Sequence, residues 1–378
     1  MEIKQIYSLV NGATNEALGV EALVLEDLSN IVEVGKAVFN ANAMDKYVKA
    51  LVNRIGKIIF VNRVYEGSAP SVLMDGWEYG SVMQKVSMGL PEATENETWE
   101  LVDGQSYDPH IFHAPKGVVA KYYNKYVTFE IDMSFTENQL KMSFNSVTEL
   151  NGFISMLYTQ VENSMTVKLD ELIRRTINNM IAETVHTNNG ARAINLLTLY
   201  KSAYPSDSTI TAATALNNPD FIRFAAYIIK LTHGRMRTMS TVFNEGNQPR
   251  HTPTDMSHIV LLEDFASGAD VFLQSNTFHD ELSALPTAER VPYWQGSGTS
   301  YAFADVSKIN VKTANGNVVE QGGILGVMFD RWALGVANIE RKVTSEYTPN
   351  AEFFTNFYKY KAAYFNDFNE NFVVFFVA

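Results

Sequence analysis

Ser146 to about Val185 reads as one uninterrupted helix, and the rest of the chain has to accommodate it. Ser146 and Glu149 make a capping box, in which hydroxyl and carboxylate satisfy the first turn's orphan N–H groups. Apolar residues then recur at Val147, Leu150, Ile154, Leu157, Val161, Met165, Leu169, Leu172, Thr176 and Met180. Steps of three and four lay them along one stripe. No proline interrupts the run, and its one glycine, Gly152, sits early. At 1.5 Å per residue, about forty residues reach roughly 60 Å. That exceeds the width of a small domain, so the stripe must be covered by neighbours, in this chain or in another. An ordinary long helix packed inside a large α+β domain is the plainer reading, and the helix alone leaves both open.

Composition bears on the same question. With 378 residues the chain has length for two or three domains. Apolar residues make up 46% and suffice for a large core, while charged residues are only 19%, below the usual quarter. The 23 Phe and 18 Tyr are many for so sparsely charged a surface, and aromatics at a surface mark protein contacts. This favours an oligomer. The net charge of −12 argues against a groove that grips phosphates, because such binding depends on neutralising charge. With no cysteine, disulfides, thiolate metal sites and cysteine nucleophiles are excluded. Met1-Glu2-Ile3-Lys4-Gln5-Ile6 has neither the basic start nor the apolar core of a signal peptide. No run of about eighteen apolar residues predicts a membrane span.

In chain order, Met1 to about Val20 reads as polar and irregular, with Asn11-Gly12 as a turn. Glu21 to about Arg54 reads as helix in two pieces, interrupted at Gly35 and Asn40-Ala41-Asn42. Ile58-Ile59-Phe60-Val61 reads as strand, as do Val82 to Met88 after several turns. A loose stretch rich in Pro, Gly and Asp follows, and then Val127, Phe129, Ile131, Met133 and Phe135 alternate with polar residues. That alternation predicts a half-buried strand. Residues 66–135 together form an extended excursion with little core of its own, which suits an arm laid over a neighbour better than a loop inside a compact domain. Beyond the long helix, Ala191–Tyr200, Pro219–Leu231 and Gln274–Leu285 read as helical, and His258–Leu262 and Val306–Val311 as strands. Gly322–Phe329 is a glycine-punctuated strand, and Tyr358, Tyr360, Ala362 and Tyr364 share a strand face. The apolar run Phe372–Val377 predicts a strand buried on both faces.

Catalytic signatures are missing. There is no G-x-x-x-x-G-K-S/T, no G-x-G-x-x-G of the dinucleotide type and no G-x-S-x-G elbow. Gly296-Ser297-Gly298 reads as a surface turn. The His110-x-x-His113 pair has metal-ligand types, with Asp108 near, but Asp108-Pro109 and Ala114-Pro115 make it plain loop. Lys230, His233, Arg235 and Arg237 are the densest basic cluster and read as a solvated helix face. Asp330 and Arg331 suit a structural ion pair or a contact between subunits better than acid–base work. No cofactor and no metal is expected.

The closing residues carry a resemblance. Gly323-Ile324-Leu325-Gly326-Val327-Met328-Phe329-Asp330-Arg331-Trp332-Ala333-Leu334-Gly335, then Thr348-Pro349-Asn350, then Asp367 to Phe375, resemble the strand, turn and closing segments of tailed-phage major capsid proteins of the Hong Kong 97 fold. Phe129–Leu140 and His258–Leu262 are similar too. The order of parts matches over most of the chain, and the residue pattern only over roughly the last sixty. The resemblance implies an α+β Hong Kong 97-like fold: residues 1–56 an N-terminal arm and helix, 57–140 an extended E-loop β-hairpin with flanking strands, 141–187 the spine helix of the peripheral domain, 188–335 a mixed α/β axial domain, and 336–378 a C-terminal β segment returning to the core.

It also implies function. The expectation is a non-enzymatic head protein that assembles with itself into an icosahedral or prolate shell of pentamers and hexamers around double-stranded DNA. It would be assembled in the host cytoplasm and carried in the virion, without a membrane. An encapsulin-type compartment built on the same fold is the alternative, and a cytoplasmic hydrolase with a nonstandard site is the alternative of another class. The excursion begins by about residue 57, which leaves no room for the N-terminal scaffolding segment of some members, so a separate scaffolding protein, or none, is implied, with a portal and decoration proteins as further partners. Trp77, Tyr79, Lys85, Trp99, Asp330, Arg331, Glu346 and Asn350 are the expected contacts between subunits. Some members weld subunits through Lys–Asn bonds; Lys85 with Asn350 or Asn356 has the residue types, without a matched carboxylate. For the basic cluster at 230–237, contact with packaged DNA is the second reading beside that of a solvated face.

Overall fold

The computed structural model describes residues 3–19, 24–25, 29–40, 43, 46–47, 49–50, 70–74, 83–91, 103–104, 117–136, 138–139, 147–187, 190–207, 209–274, 288–295, 306–313 and 315–378. The expected strand at 58–61, the capping box at Ser146, the helix over 275–285, the Gly296–Gly298 turn and the His110/His113 pair lie outside those residues. The chain forms two compact units, one from residues 1–78, 126–173 and 336–363, the other from 79–125, 174–335 and 364–378.

In the first unit, helix α1 (Ile3–Leu18) occupies the stretch expected to be irregular. Tyr7, Val10, Ala13, Thr14 and Leu18 recur at helical spacing, and Val10, Ala13 and Thr14 are buried. Asn11 does not turn the chain; its side-chain oxygen instead accepts the Val24 N–H at 3.1 Å. Gly19, at φ +83°, ends the helix where a left-handed residue is needed. Helix α2 (Ile31–Asn40) packs against α1 through a face that includes buried Ile31, Val34 and Val38.

The sheet of this unit runs β1–β11–β12–β4. Its strands are β1 (Leu73–Met74), β4 (Tyr126–Thr136), β11 (Leu334–Thr348) and β12 (Phe353–Asn366), the last two crossing the unit boundary. β4 pairs antiparallel with β12 from Thr136↔Phe353 to Tyr126↔Ala363. Its alternation is as expected: Thr128, Glu130, Asp132 and Ser134 are exposed, while Val127, Phe129, Ile131, Met133 and Phe135 face inward. Cross-strand aromatic pairs Phe129–Tyr360 and Phe135–Phe354 fix that register.

The long helix is α3 (Val147–Thr187), 41 residues without a break. Every stripe position whose side chain is described, from Val161 through Met165, Leu169, Leu172 and Thr176 to Met180, is buried. In the second unit its buried face widens to take in Ile177, Asn178, Ile181 and Ala182. Asn178 donates to the Trp294 carbonyl at 2.8 Å, and the Trp294 indole donates to the Ile324 carbonyl at 2.9 Å, so both buried donors are satisfied, while Asn178 Oδ1 is buried without a partner among the described residues.

The second unit is built on a sheet ordered β5–β13–β10–β6–β7. These strands are β5 (Ala193–Asn195), β6 (Ser257–Leu262), β7 (Glu289–Val291), β10 (Ile324–Asp330) and β13 (Phe372–Phe376). β10 and β13 are buried along their whole length, as a continuous apolar run predicts. Helices α4 (Leu196–Ala203), α5 (Pro219–Met236) and α6 (Glu263–Gln274) cover the sheet through Leu197, Tyr200, Phe221, Ile229 and Phe265. The stretch expected as helix from Ala191 thus begins as β5, because Asn195 caps α4 by accepting the N–H groups of Leu197 and Thr198. Two antiparallel ribbons complete the unit: β2 (Met83–Ser87) with β3 (Val119–Tyr123), and β8 (Ile309–Lys312) with β9 (Val318–Gln321).

Candidate assembly surface

The β2–β3 ribbon has two unlike faces. Its register sets Gln84 opposite Tyr122, Lys85 opposite Lys121 and Val86 opposite Ala120. Cross-strand partners share a face and neighbours in sequence do not. Gln84, Val86 and Met88, and Tyr122 across from them, are exposed and alternate with half-buried positions, as period two requires, while Val118, Val119 and Ala120 are all exposed. Val86 is 61% exposed and Tyr122 63%, and Leu90 and Val118 are similarly open. Scattered apolar residues at a surface are ordinary, but a contiguous set on one ribbon marks a contact surface.

The opposite face is charged and engaged. Lys85 Nζ lies 2.7 Å from Asp367 Oδ2 and 2.7 Å from Glu370 Oε1, and donates to the Trp332 carbonyl at 3.2 Å. Lys121 Nζ lies 2.8 Å from Asp367 Oδ1. Tyr123 packs on Phe365 with ring centroids 5.2 Å apart. Asp367 is only 2% exposed. Burial pushes its carboxyl upward, but hydrogen bonds from Lys121 and Lys85, with the Lys85 charge and the Asn369 N–H, outweigh it and hold the group below the usual carboxylate range.

The 367–371 turn that carries these carboxylates is held by its own contacts. The Asp367 N–H donates to the Ala333 carbonyl, and the Phe368 carbonyl accepts from Glu245 and Gly246. Asn371 donates to Thr252 Oγ1 at 3.1 Å, and Phe372 N–H donates to the Phe243 carbonyl. Arg250 Nε stands 3.5 Å from Glu370.

Of the residues expected to touch a neighbour, Lys85, Asp330 and Arg331 fall in the second unit and Glu346 and Asn350 in the first. Trp77, Tyr79 and Trp99 lie outside the described residues. Lys85 is committed within the chain, as above. Asp330 is buried, and its carboxylate accepts the Trp332 N–H at 2.9 Å, which shapes the β10–β11 turn instead of facing outward. Arg331 is exposed on that turn, beside Trp332 at 43% exposed. Glu346 and Asn350 are exposed at the end of the β11–β12 hairpin. Asn356, the other residue type suited to a weld, is buried and donates to the Met133 carbonyl at 3.4 Å. Lys121, Tyr122, Asp367 and Glu370 were not foreseen; Asn366-Asp367 reads in sequence only as a turn.

Elsewhere in the second unit an apolar groove of about 640 Å³ is lined by Leu199, Ile228, Leu231, Met239 and Phe243, with Arg235 at its rim. Arg235 and Arg237 are exposed, whereas His233 is half-buried, and burial followed by the Arg237 charge keeps its imidazole below the ordinary value. Among the described residues no group of three acidic or histidine side chains is placed to hold a metal ion, and no helix is long and apolar enough to cross a membrane.

Residues 8–376 match the model of the Phi29-like phage major capsid protein family. Among solved structures, one described as the capsid structure of Staphylococcus phage Andhra is similar at TM-score 0.52 and 9% identity, over 84% of this chain and 86% of that one. Another, described as the structure of head fiber and inner core protein gp22 of native bacteriophage P68, is similar at TM-score 0.53 and 8% identity, with the same coverage of 84% and 86%. At such identities the likeness is one of fold. No curated protein matches the sequence.

Proposed function

We propose, for a chain that belongs to the Phi29-like phage major capsid protein family, that the β2–β3 ribbon is the arm by which neighbouring subunits of the head shell hold one another. The protein is a structural subunit of the phage head, with a Hong Kong 97-like fold; it assembles with copies of itself and is a component of the virion. Family membership favours this over an encapsulin-type compartment and over a hydrolase.

The finer reading is ours. Subunits form pentamers and hexamers that close around double-stranded DNA, in the host cytoplasm, with a separate scaffolding protein, a portal and decoration proteins as partners. Residues 57–140 act as the E-loop, 141–187 as the spine helix, 188–335 as the axial domain and 336–378 as the returning β segment, with 1–56 as arm and helix. Arg331, Glu346 and Asn350, all exposed, remain candidate contacts, as do Trp77, Tyr79 and Trp99.

One observation carries this reading: the ribbon seats its charged face on its own unit and leaves the other face apolar and open. A monomer gains nothing from that arrangement, whereas a neighbour laid against it buries the exposed side chains. A specific contact needs roughly 1,000 Å², so the ribbon would act together with other surfaces of the subunit. Electron microscopy of the purified protein tests the assignment: rings or closed shells are expected, with the Val86/Tyr122 face covered by a second copy. Uniform monomers under all salt and concentration conditions, or shells in which that face stays bare, would overturn it.

A further inference from the structure

We propose that the β2–β3 ribbon forms only after the 367–371 turn has closed, so that the arm is presented only by a subunit whose C-terminal segment is already folded. The inference rests on the reading of the ribbon as an arm for its biological meaning, but its physical content stands on the chain alone.

The register makes Lys85 and Lys121 direct cross-strand neighbours on one face. Like charges placed so oppose strand pairing. Among the described residues the ribbon has two strands and no third, and an isolated two-stranded ribbon is marginal in water. Its apolar side faces outward and adds no core. Beyond its own ladder, the Gln84–Tyr122 hydrogen bond and the Lys85 bond to the Trp332 carbonyl, what holds the ribbon comes from β12 and the turn after it: Phe365 under Tyr123, and Asp367 and Glu370 under the two ammonium groups. The turn is 246 residues beyond Lys121 in the chain.

The dependence runs one way. The turn's bonds to Ala333, Glu245, Gly246, Thr252 and Phe243 use no ribbon atom. Gly246 fits so closely that a Cβ there would overlap the Asn369 side chain. The turn therefore keeps these five bonds without the ribbon, although Asp367 then loses both lysines, whereas the ribbon without the seat is left with two facing cations. Removing one member of a buried, hydrogen-bonded charge set leaves the others uncompensated. A chain that has not completed its C-terminal turn would thus lack the arm and be left out of the shell.

Hydrogen exchange on the full-length, unassembled chain tests this. In Asp367→Asn, amides of residues 83–87 and 119–123 should exchange about tenfold faster or more, while those of β10 and β13 keep their protection. Adding Lys121→Glu to that variant places opposite charges across the ribbon and should restore slow exchange without the seat. An unchanged ribbon in Asp367→Asn, or no recovery in the double variant, would overturn the proposal. Should Asp367→Asn also loosen β10 and β13, Glu370→Gln takes its place: faster exchange confined to the ribbon supports the dependence, and none refutes it. The arm reading fails separately, in Val86→Asp/Tyr122→Asp, which leaves the charged face intact. Normal shells from that variant would sink the arm and leave the seat standing.

Discussion

Gly326 lies in β10 between β6 and β13, where a Cβ would press on the Leu261 side chain and stand 3.1 Å from the Val260 carbonyl. Gly323, at φ +69°, has no room either, since a Cβ would overlap the Val377 carbonyl. Gly323→Ala adds left-handed backbone strain to that overlap, so it should cost at least about 2 kcal/mol in chemical denaturation. Gly322→Ala next to it, with open space around it, is the control and should be nearly silent. Asp367 sets a pH dependence of definite sign. Its folded-state value is depressed, so the stability it contributes is complete above the unfolded value of about 4 and is lost as pH falls through the folded one. Lys85, Lys121, Arg250 and Glu370 face the same turn, and burial, followed by Asp367, raises the Tyr123 phenol, keeping it neutral. Ribbon amides should keep their protection down to about pH 4 and lose it below, ahead of the central sheet. Loss already between roughly pH 5 and 7 would assign the hold to something other than this carboxylate.

Among elements, α3 distinguishes stripe from surface. Ile177 is fully buried and Val167 is 54% exposed on the same helix. Ile177→Ala should cost about 2–5 kcal/mol, and Val167→Ala within about 0.5 kcal/mol of nothing. Equal costs would mean that α3 does not lie as described. Helix α5 starts at Asn218, whose side chain accepts the N–H groups of Asp220 and Phe221 just before Pro219 turns the backbone into the helix. Asn218→Ala is expected to lower stability by about 1 kcal/mol, and Asn218→Gly by only a few tenths. Local signals fail at three helices: α6 follows β6 where no helix is expected, α2 runs through Gly35, and at α1 Asn11-Gly12 is a turn signal only while Asn11 lacks a distant partner, and here it has the Val24 N–H.

At the scale of the whole molecule, copies carrying −12 each must approach one another. Between exposed charges, repulsion is screened beyond a Debye length, which shrinks from about 30 Å at 0.01 M salt to about 8 Å at 0.15 M. Apolar contact does not suffer from salt. Light scattering should therefore show more assembly as ionic strength rises over that range. Dissolution of shells by the same salt would mean that intersubunit ion pairs, not the open Val86, Met88, Val118 and Tyr122 face, hold the shell.

Periodic pattern is legible in the sequence: the stripe of α3, the alternation of β4, the buried runs of β10 and β13, and the turn at 330–335 that carries the resemblance to phage capsid proteins. Each depends on residues within a turn or a strand of one another, so spacing encodes it. The seat of the ribbon depends instead on Lys85, Lys121 and Asp367 meeting at 2.7 to 2.8 Å across hundreds of residues. Neither lysine is unusual in its own neighbourhood, and Asp367 looks like any turn aspartate. Asp330 likewise turned inward to its own loop, a choice set by the Trp332 N–H and by the burial of β10. Spacing along the chain says which face a side chain takes, but which distant groups stand opposite that face is settled by strand register and by the turns that bring the strands together.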